Sequence, residues 1–170
     1  MIELFSLNQI QFQFQVLAYV VLAMLLGAAI GIDREIADKP AGLRTHMLVA
    51  GAAALLVSLG NIMVQHFDKN LPNNFLQSDP IRIIEAVITG VSFLGAGTII
   101  RRGSSQVAGL TTAASILFAA AVGICVALSQ LVLAVGSTVL VLATLRGVYY
   151  MQRLLGIVPK NGVQDKSADD

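Results

Sequence analysis

The chain has 170 residues, 56% of them hydrophobic and 12% charged, with a formal net charge of +1. Soluble domains carry roughly 25% charged residues, so this composition, with a mean hydropathy of +0.78, excludes an ordinary soluble domain and points to a membrane protein with no nucleic-acid partner. Cys125 is the only cysteine, which excludes an intrachain disulfide.

Residues 1–13 contain no Lys or Arg, so they lack the basic start of a cleaved signal peptide and read as a short outer segment. The apolar stretch 14–32 is long enough for a retained span, at about 20 residues per crossing. Within it Gly27 and Gly31 form a GxxxG pair, and small residues let helix backbones approach closely in a bilayer. The densest charge cluster follows, from Asp33, Arg34 and Glu35 through Lys39 to Arg44. Two positions apart on a helix, Asp33 and Glu35 point in different directions. That makes a poor metal cage, and no metal or other cofactor is expected. The physical reading is an ion-pair network, in which these acids face Arg44 and the Arg101-Arg102 pair. Recognition of a partner or ligand is the alternative.

A second span is expected over 47–64 and an irregular outer loop over 65–79, with Asp79 as N-cap and Pro80 at the first helical position of the third span. That third span, 81–100, is thinned by Gly90, Gly95 and Gly97 and holds Glu85, its one acidic residue. Glu85, Thr89 and Ser92 share a helix face at spacings of four and seven. An intramembrane carboxylate is a functional candidate because its burial is costly unless paired, so this stripe could line an ion or proton path. The structural alternative is a pair with Arg82 near the outer surface. The fourth and fifth spans, 111–128 and 131–145, are separated by Ser129 and Gln130 alone and must form a tight hairpin. The fifth should extend toward Tyr149, letting Arg146 reach the headgroups. Residues 151–170 read as a cytoplasmic, partly disordered tail. His46, His66 and Cys125 have no ligand spacing, and no nucleophile sits beside a base, so no enzyme is expected.

The sum is an all-α, five-helix membrane domain over 14–150. Nearly all basic residues, among them Arg34, Arg44, Arg101, Arg102 and Arg146, fall in one set of loops. The positive-inside rule then places the N-terminus outside and the C-terminus in the cytoplasm. The pattern Ala-Gly-Leu-x-Thr occurs twice on that side, as Ala41-Gly42-Leu43-Arg44-Thr45 and Ala108-Gly109-Leu110-Thr111-Thr112. Each copy follows a glycine-rich apolar segment and opens another. Two hairpins related by a pseudo-twofold are expected, meeting at an asymmetric seam where Arg44 reaches Asp33 and Glu35.

The segments GAAIGIDRE, AGLRTHMLV, GVSFLGAGTIIRRG and VAGLTTAASI, in that order, resemble the signature segments of the bacterial MgtC/SapB (YhiD-like) membrane proteins. The resemblance runs from about Leu25 to Gly123 and carries over Asp33, Arg34, Glu35, Gly42, Leu43, Arg44, Gly109, Leu110 and Thr111 as family positions. It implies a five-helix protein of the bacterial inner membrane, linked to Mg²⁺ limitation or stress survival and acting on other membrane proteins. Virulence-associated members carry an acid at the position of Arg102 and asparagine at that of Thr111, which sets this chain apart from their role on ATP synthase. They also carry a C-terminal ACT-type domain, for which the residues after Tyr150 leave no room. A homodimer through a Gly-lined face, in the lipid bilayer and with other membrane proteins as partners, is the leading reading. A small ion or proton conduit past Glu85, Thr89 and Ser92 is the rival.

Overall fold

The computed structural model of the chain describes residues 2–70, 80–102 and 106–154. Five helices and one small hairpin make up these residues. They are α1 (Ile2–Ile36), α2 (Leu43–Asn70), α3 (Pro80–Ala96), β1 (Ile100–Arg102), β2 (Gln106–Ala108), α4 (Leu110–Ala127) and α5 (Leu131–Leu154). Three of the helices hold segments long and apolar enough to cross a membrane, Ile10–Ile36, Leu43–Val64 and Leu110–Ala127, with a shorter apolar segment at Leu131–Gly147. This is a helical membrane protein. The expected outer segment before residue 14 continues α1, and α5 runs past Arg146. Pro80 opens α3; Asp79 and the tail after residue 154 lie outside the described residues.

One element departs from an all-α reading. β1 and β2 pair antiparallel, with Ile100 opposite Ala108, Arg101 opposite Val107 and Arg102 opposite Gln106. Strands of three residues are too short to carry a readable period-two pattern.

Where α1 and α4 end, the chain turns through the same device. After α1, Lys39 N–H donates to Arg34 O (3.0 Å) and Asp38 N–H to Glu35 O (3.1 Å), with Asp38 at φ 52. After α4, Gln130 N–H donates to Cys125 O (2.8 Å) and Ser129 N–H to Val126 O (2.9 Å), with Ser129 at φ 59. Both are Schellman closures with a left-handed residue at C′. The second leaves only Leu128, Ser129 and Gln130 between α4 and α5. There Tyr19 Oη of α1 lies 2.9 Å from Ser129 Oγ and accepts a bond from Gln15 Nε2, tying α1 to the turn.

The core is a three-helix crossing with α2 in the middle. Ala50, Ala53 and Ala54 of α2 are buried, as are Ala23 and Ile30 of α1 and Ile116, Ala119 and Ala120 of α4. Both neighbours approach α2 closely at Ala50. A Cβ on Gly27 of α1 would lie 2.9 Å from Ala50 Cβ, and one on Gly123 of α4 would meet the Ala50 carbonyl oxygen. Lipid tails are as apolar as the side chains, so it is this close approach that holds such helices together.

Candidate functional site

The ends of α1 and α5 and the starts of α2 and α4 gather at one end of the bundle, and most of the polar contacts gather with them. Both copies of the repeated pentapeptide fall there, each with its leucine as the first helical residue. Their glycines serve different ends. Gly42 makes room for an acid from α1: a Cβ there would sit 2.8 Å from Glu35 Oε2. That oxygen accepts the Leu43 N–H at 2.7 Å, so Glu35 caps the exposed start of α2 across the turn, where a negative charge also suits the helix dipole. Gly109, in contrast, adopts φ 95, and a Cβ there would collide with the Thr98 carbonyl. No side chain caps α4.

Asp33 lies at the centre of this end. Its carboxylate accepts Arg34 Nη2 at 2.6 Å and Nε at 3.2 Å, and on its other oxygen Arg146 Nε at 2.8 Å. The Asp33 and Arg34 side chains are 8% and 7% exposed, whereas Arg146 is 60% exposed. Charged hydrogen bonds at these distances are the strong kind. One carboxylate therefore serves two guanidinium groups, leaving the cluster one positive charge in excess.

The expected pairing of Arg44 with these acids is not formed. Arg44 is exposed on α2 and makes no ion pair among the described residues. The reason is local: Glu35 is turned onto the α2 backbone, and Asp33 is saturated by Arg34 and Arg146. Arg101 and Arg102 lie in β1, and their side chains fall outside the described residues.

His46, read from sequence as isolated, is fully buried at 0% exposure. Its Nδ1–H donates to Gly42 O at 2.8 Å, because a carbonyl can only accept. Nε2 lies 3.0 Å from Ser115 Oγ on α4, a hydroxyl also 2.8 Å from Thr112 O. One imidazole thus links the start of α2 to the first turns of α4. Gly31 leaves space for it, since a Cβ there would meet Leu43 Cα at 2.7 Å and His46 Cβ at 3.1 Å.

Glu85, Thr89 and Ser92 lie elsewhere, exposed on α3. Thr89 Oγ1 donates to the Glu85 carbonyl of its own helix (2.8 Å), and no ion pair joins Glu85 to Arg82. Round the helix from this face, a groove runs between α2 and α3 as two apolar cavities of about 560 and 360 Å³ that share Leu56, Ala86 and Val87. Gly90 lines it with no atom within 4 Å of where its Cβ would stand. A Cβ on Gly95 would make an ordinary contact with Ala113 of α4 at 3.5 Å, and one on Gly97 would lie 3.3 Å from the Leu94 carbonyl oxygen of its own turn. Thr111 is exposed in the first turn of α4.

Residues 20–154 match the MgtC family. The chain is 37% identical to SapB of Bacillus subtilis (strain 168) over 61% of its own length and 43% of that protein. It is 37% identical to YhiD of Escherichia coli (strain K12), named as a candidate magnesium transporter, over 74% of this chain and 56% of that one. With MgtC of Salmonella typhimurium (strain LT2) the identity is 38%, over 71% and 46%. The chain thus spans about half the length of these relatives. No solved structure matches it.

Proposed function

The chain belongs to the MgtC family, and from that membership and the open α2–α3 groove we propose that it is a non-enzymatic regulator of Mg²⁺ and pH homeostasis in the bacterial inner membrane. It acts through other membrane proteins and through a second copy of itself, and it serves survival under ionic stress. The name of YhiD supplies the Mg²⁺ connection. All five helices are taken to cross the bilayer, α3 and α5 included. The end holding Arg34, Arg44 and Arg146 is the cytoplasmic one by the positive-inside rule.

The observation that carries this reading is the α3 face. A groove lined from Leu48 to Val64 on α2 extends about 24 Å at 1.5 Å per residue, most of the ~30 Å hydrocarbon core. Its wall includes Ala52, Ala86 and Gly90, small residues that admit another helix closely. Glu85 stands exposed on the same helix, with no ion pair among the described residues. A charge left at lipid is expensive, so Glu85, which lies round α3 from the groove, marks a second exposed face of that helix. Gly27, Gly31 and Gly123 are already used inside the chain, whereas Gly90 of α3 is open and lines the groove, which favours α3 for a helix–helix contact.

A conduit would need Glu85, Thr89 and Ser92 to line a path formed between copies. Proteoliposomes containing the purified protein and loaded with a Mg²⁺- or pH-sensitive dye separate the two readings. No flux above protein-free vesicles is expected for either ion at any pH. Selective flux that is lost in Glu85→Gln would overturn the regulator reading.

A further inference from the structure

The bundle holds α3 by one side only. Val87 is buried, and Ile83, Ile84 and Val91 pack against the same core. On the far side of the helix Arg82, Glu85, Thr89, Ser92 and Ala96 recur at intervals of three and four, and every one of them is exposed. That spacing is the a/d stripe of a heptad, and it runs for about 21 Å at 1.5 Å per residue. Val87 lies opposite the stripe, and Gly90 of the α2–α3 groove lies between the two.

The stripe is polar where lipid tails call for apolar side chains. Arg82 and Glu85 make no ion pair among the described residues, and a basic residue N-terminal to its acid is the less favourable order within one helix. Glu85 stands about 7.5 Å along α3 from Pro80, where a carboxylate is costly unless paired. Two copies inserted in the same orientation bring their α3 helices together parallel, about a two-fold axis along the membrane normal. Each layer of one stripe then meets the same layer of the other. Under that operation the stripe is complementary to itself. Each Arg82 stands one layer from the partner's Glu85, Thr89 meets Thr89, and Ser92 meets Ser92. Hydroxyls both donate and accept across such a contact, and Ala96 lets the backbones close. Ile81, Ile88 and Phe93, which are 61%, 41% and 85% exposed, flank the stripe.

We infer that the Arg82–Ala96 stripe of α3 is the seam on which a second copy of this chain docks, closed by two reciprocal Arg82–Glu85 pairs. The seam presupposes the self-association proposed for the chain, with α3 crossing the bilayer, and it leaves the α2–α3 groove to a different membrane protein.

Oxidative cross-linking of the full chain in native membranes tests the seam. Cys125→Ala removes the native thiol, and single cysteines are then placed at Ser92 on the seam, at Leu94 in the groove and at Val132 on α5, all exposed positions. The linked dimer should form about fivefold faster or more from Ser92→Cys than from Leu94→Cys or Val132→Cys. Adding Glu85→Arg, which sets cations against cations, should slow the Ser92→Cys reaction about fivefold or more, the scale of a lost polar contact between membrane helices. Restoring opposite charges with Arg82→Glu in the same chain should return most of the rate. Melting curves in detergent identify any variant that fails to fold, and the unaltered stripe in the Leu94→Cys and Val132→Cys chains supplies the comparison. A Ser92→Cys rate no greater than that of Val132→Cys, or one indifferent to Glu85→Arg, would overturn the seam. A loss that the reversed pair does not recover would overturn the reciprocal pairing. Cross-linking at Leu94 without Ser92 would overturn the seam but keep self-association, and cross-linking at neither would overturn both.

Discussion

Gly123→Ala is expected to destabilise the bundle by roughly 3 kcal/mol, at the upper end of what overpacking costs, and Gly136→Ala to stabilise it by up to about 1 kcal/mol. The chemical change is the same in both, one methyl group on an apolar helix. At Gly136 nothing lies within 4 Å of the new carbon, so only the better helix propensity of alanine is felt. At Gly123 the methyl collides with the Ala50 carbonyl oxygen and lies 3.1 Å from Ala53 Cβ. Backbone cannot yield as a side-chain tip does, so α4 must lift off α2. The same movement would draw Ser115 from His46 and open the α1–α2–α4 crossing. Thermal unfolding in detergent, followed by loss of the monodisperse species, reads both variants. Equal effects at the two positions would remove the crossing at Ala50 as the core of the fold.

Asp33→Ala should cost roughly 3–5 kcal/mol, because it strands the buried Arg34 guanidinium without a counter-charge. Arg146→Ala should cost less than about 1 kcal/mol, since that partner is mostly in solvent and such pairs contribute little. Combining Asp33→Ala with Arg34→Met should recover most of the loss, as removing both members of a buried pair is often near neutral. A double-mutant cycle in the same unfolding assay gives the coupling directly. If the single and double variants are equally unstable, Asp33 acts through something other than the charge of Arg34.

Much of this was legible in the sequence because a bilayer imposes length and hydropathy. The apolar runs at 14–32 and 47–64 lie within α1 and α2, that at 111–128 overruns α4 by one residue, and both Ala-Gly-Leu-x-Thr copies mark helix starts. What periodicity could not supply was partnership across the fold. Asp33 meets Arg146 from 113 positions away, while the nearer Arg44 points to solvent. His46 reaches Ser115 across 69 positions. Its burial did leave a trace: His46, Ala50, Ala53 and Val57 recur at helical spacing, so the histidine lies on the small-residue face of α2. The two glycines of the repeat looked equivalent in sequence, yet one accommodates a carboxylate and the other a left-handed turn. That distinction depends on Glu35 and Thr98, which the pentapeptide does not contain.

In the proposed function the α2–α3 face receives another membrane helix. A photo-crosslinking amino acid placed at Gly90, in the full-length chain in native membranes, tests it most directly. A control probe sits at Val132, 87% exposed on α5. Irradiation should give a discrete adduct at Gly90, with a second copy or another membrane protein, that is lost when Ala86→Phe fills the groove, and little at Val132. Lipid adducts alone at Gly90, or a protein adduct indifferent to Ala86→Phe, would contradict the account.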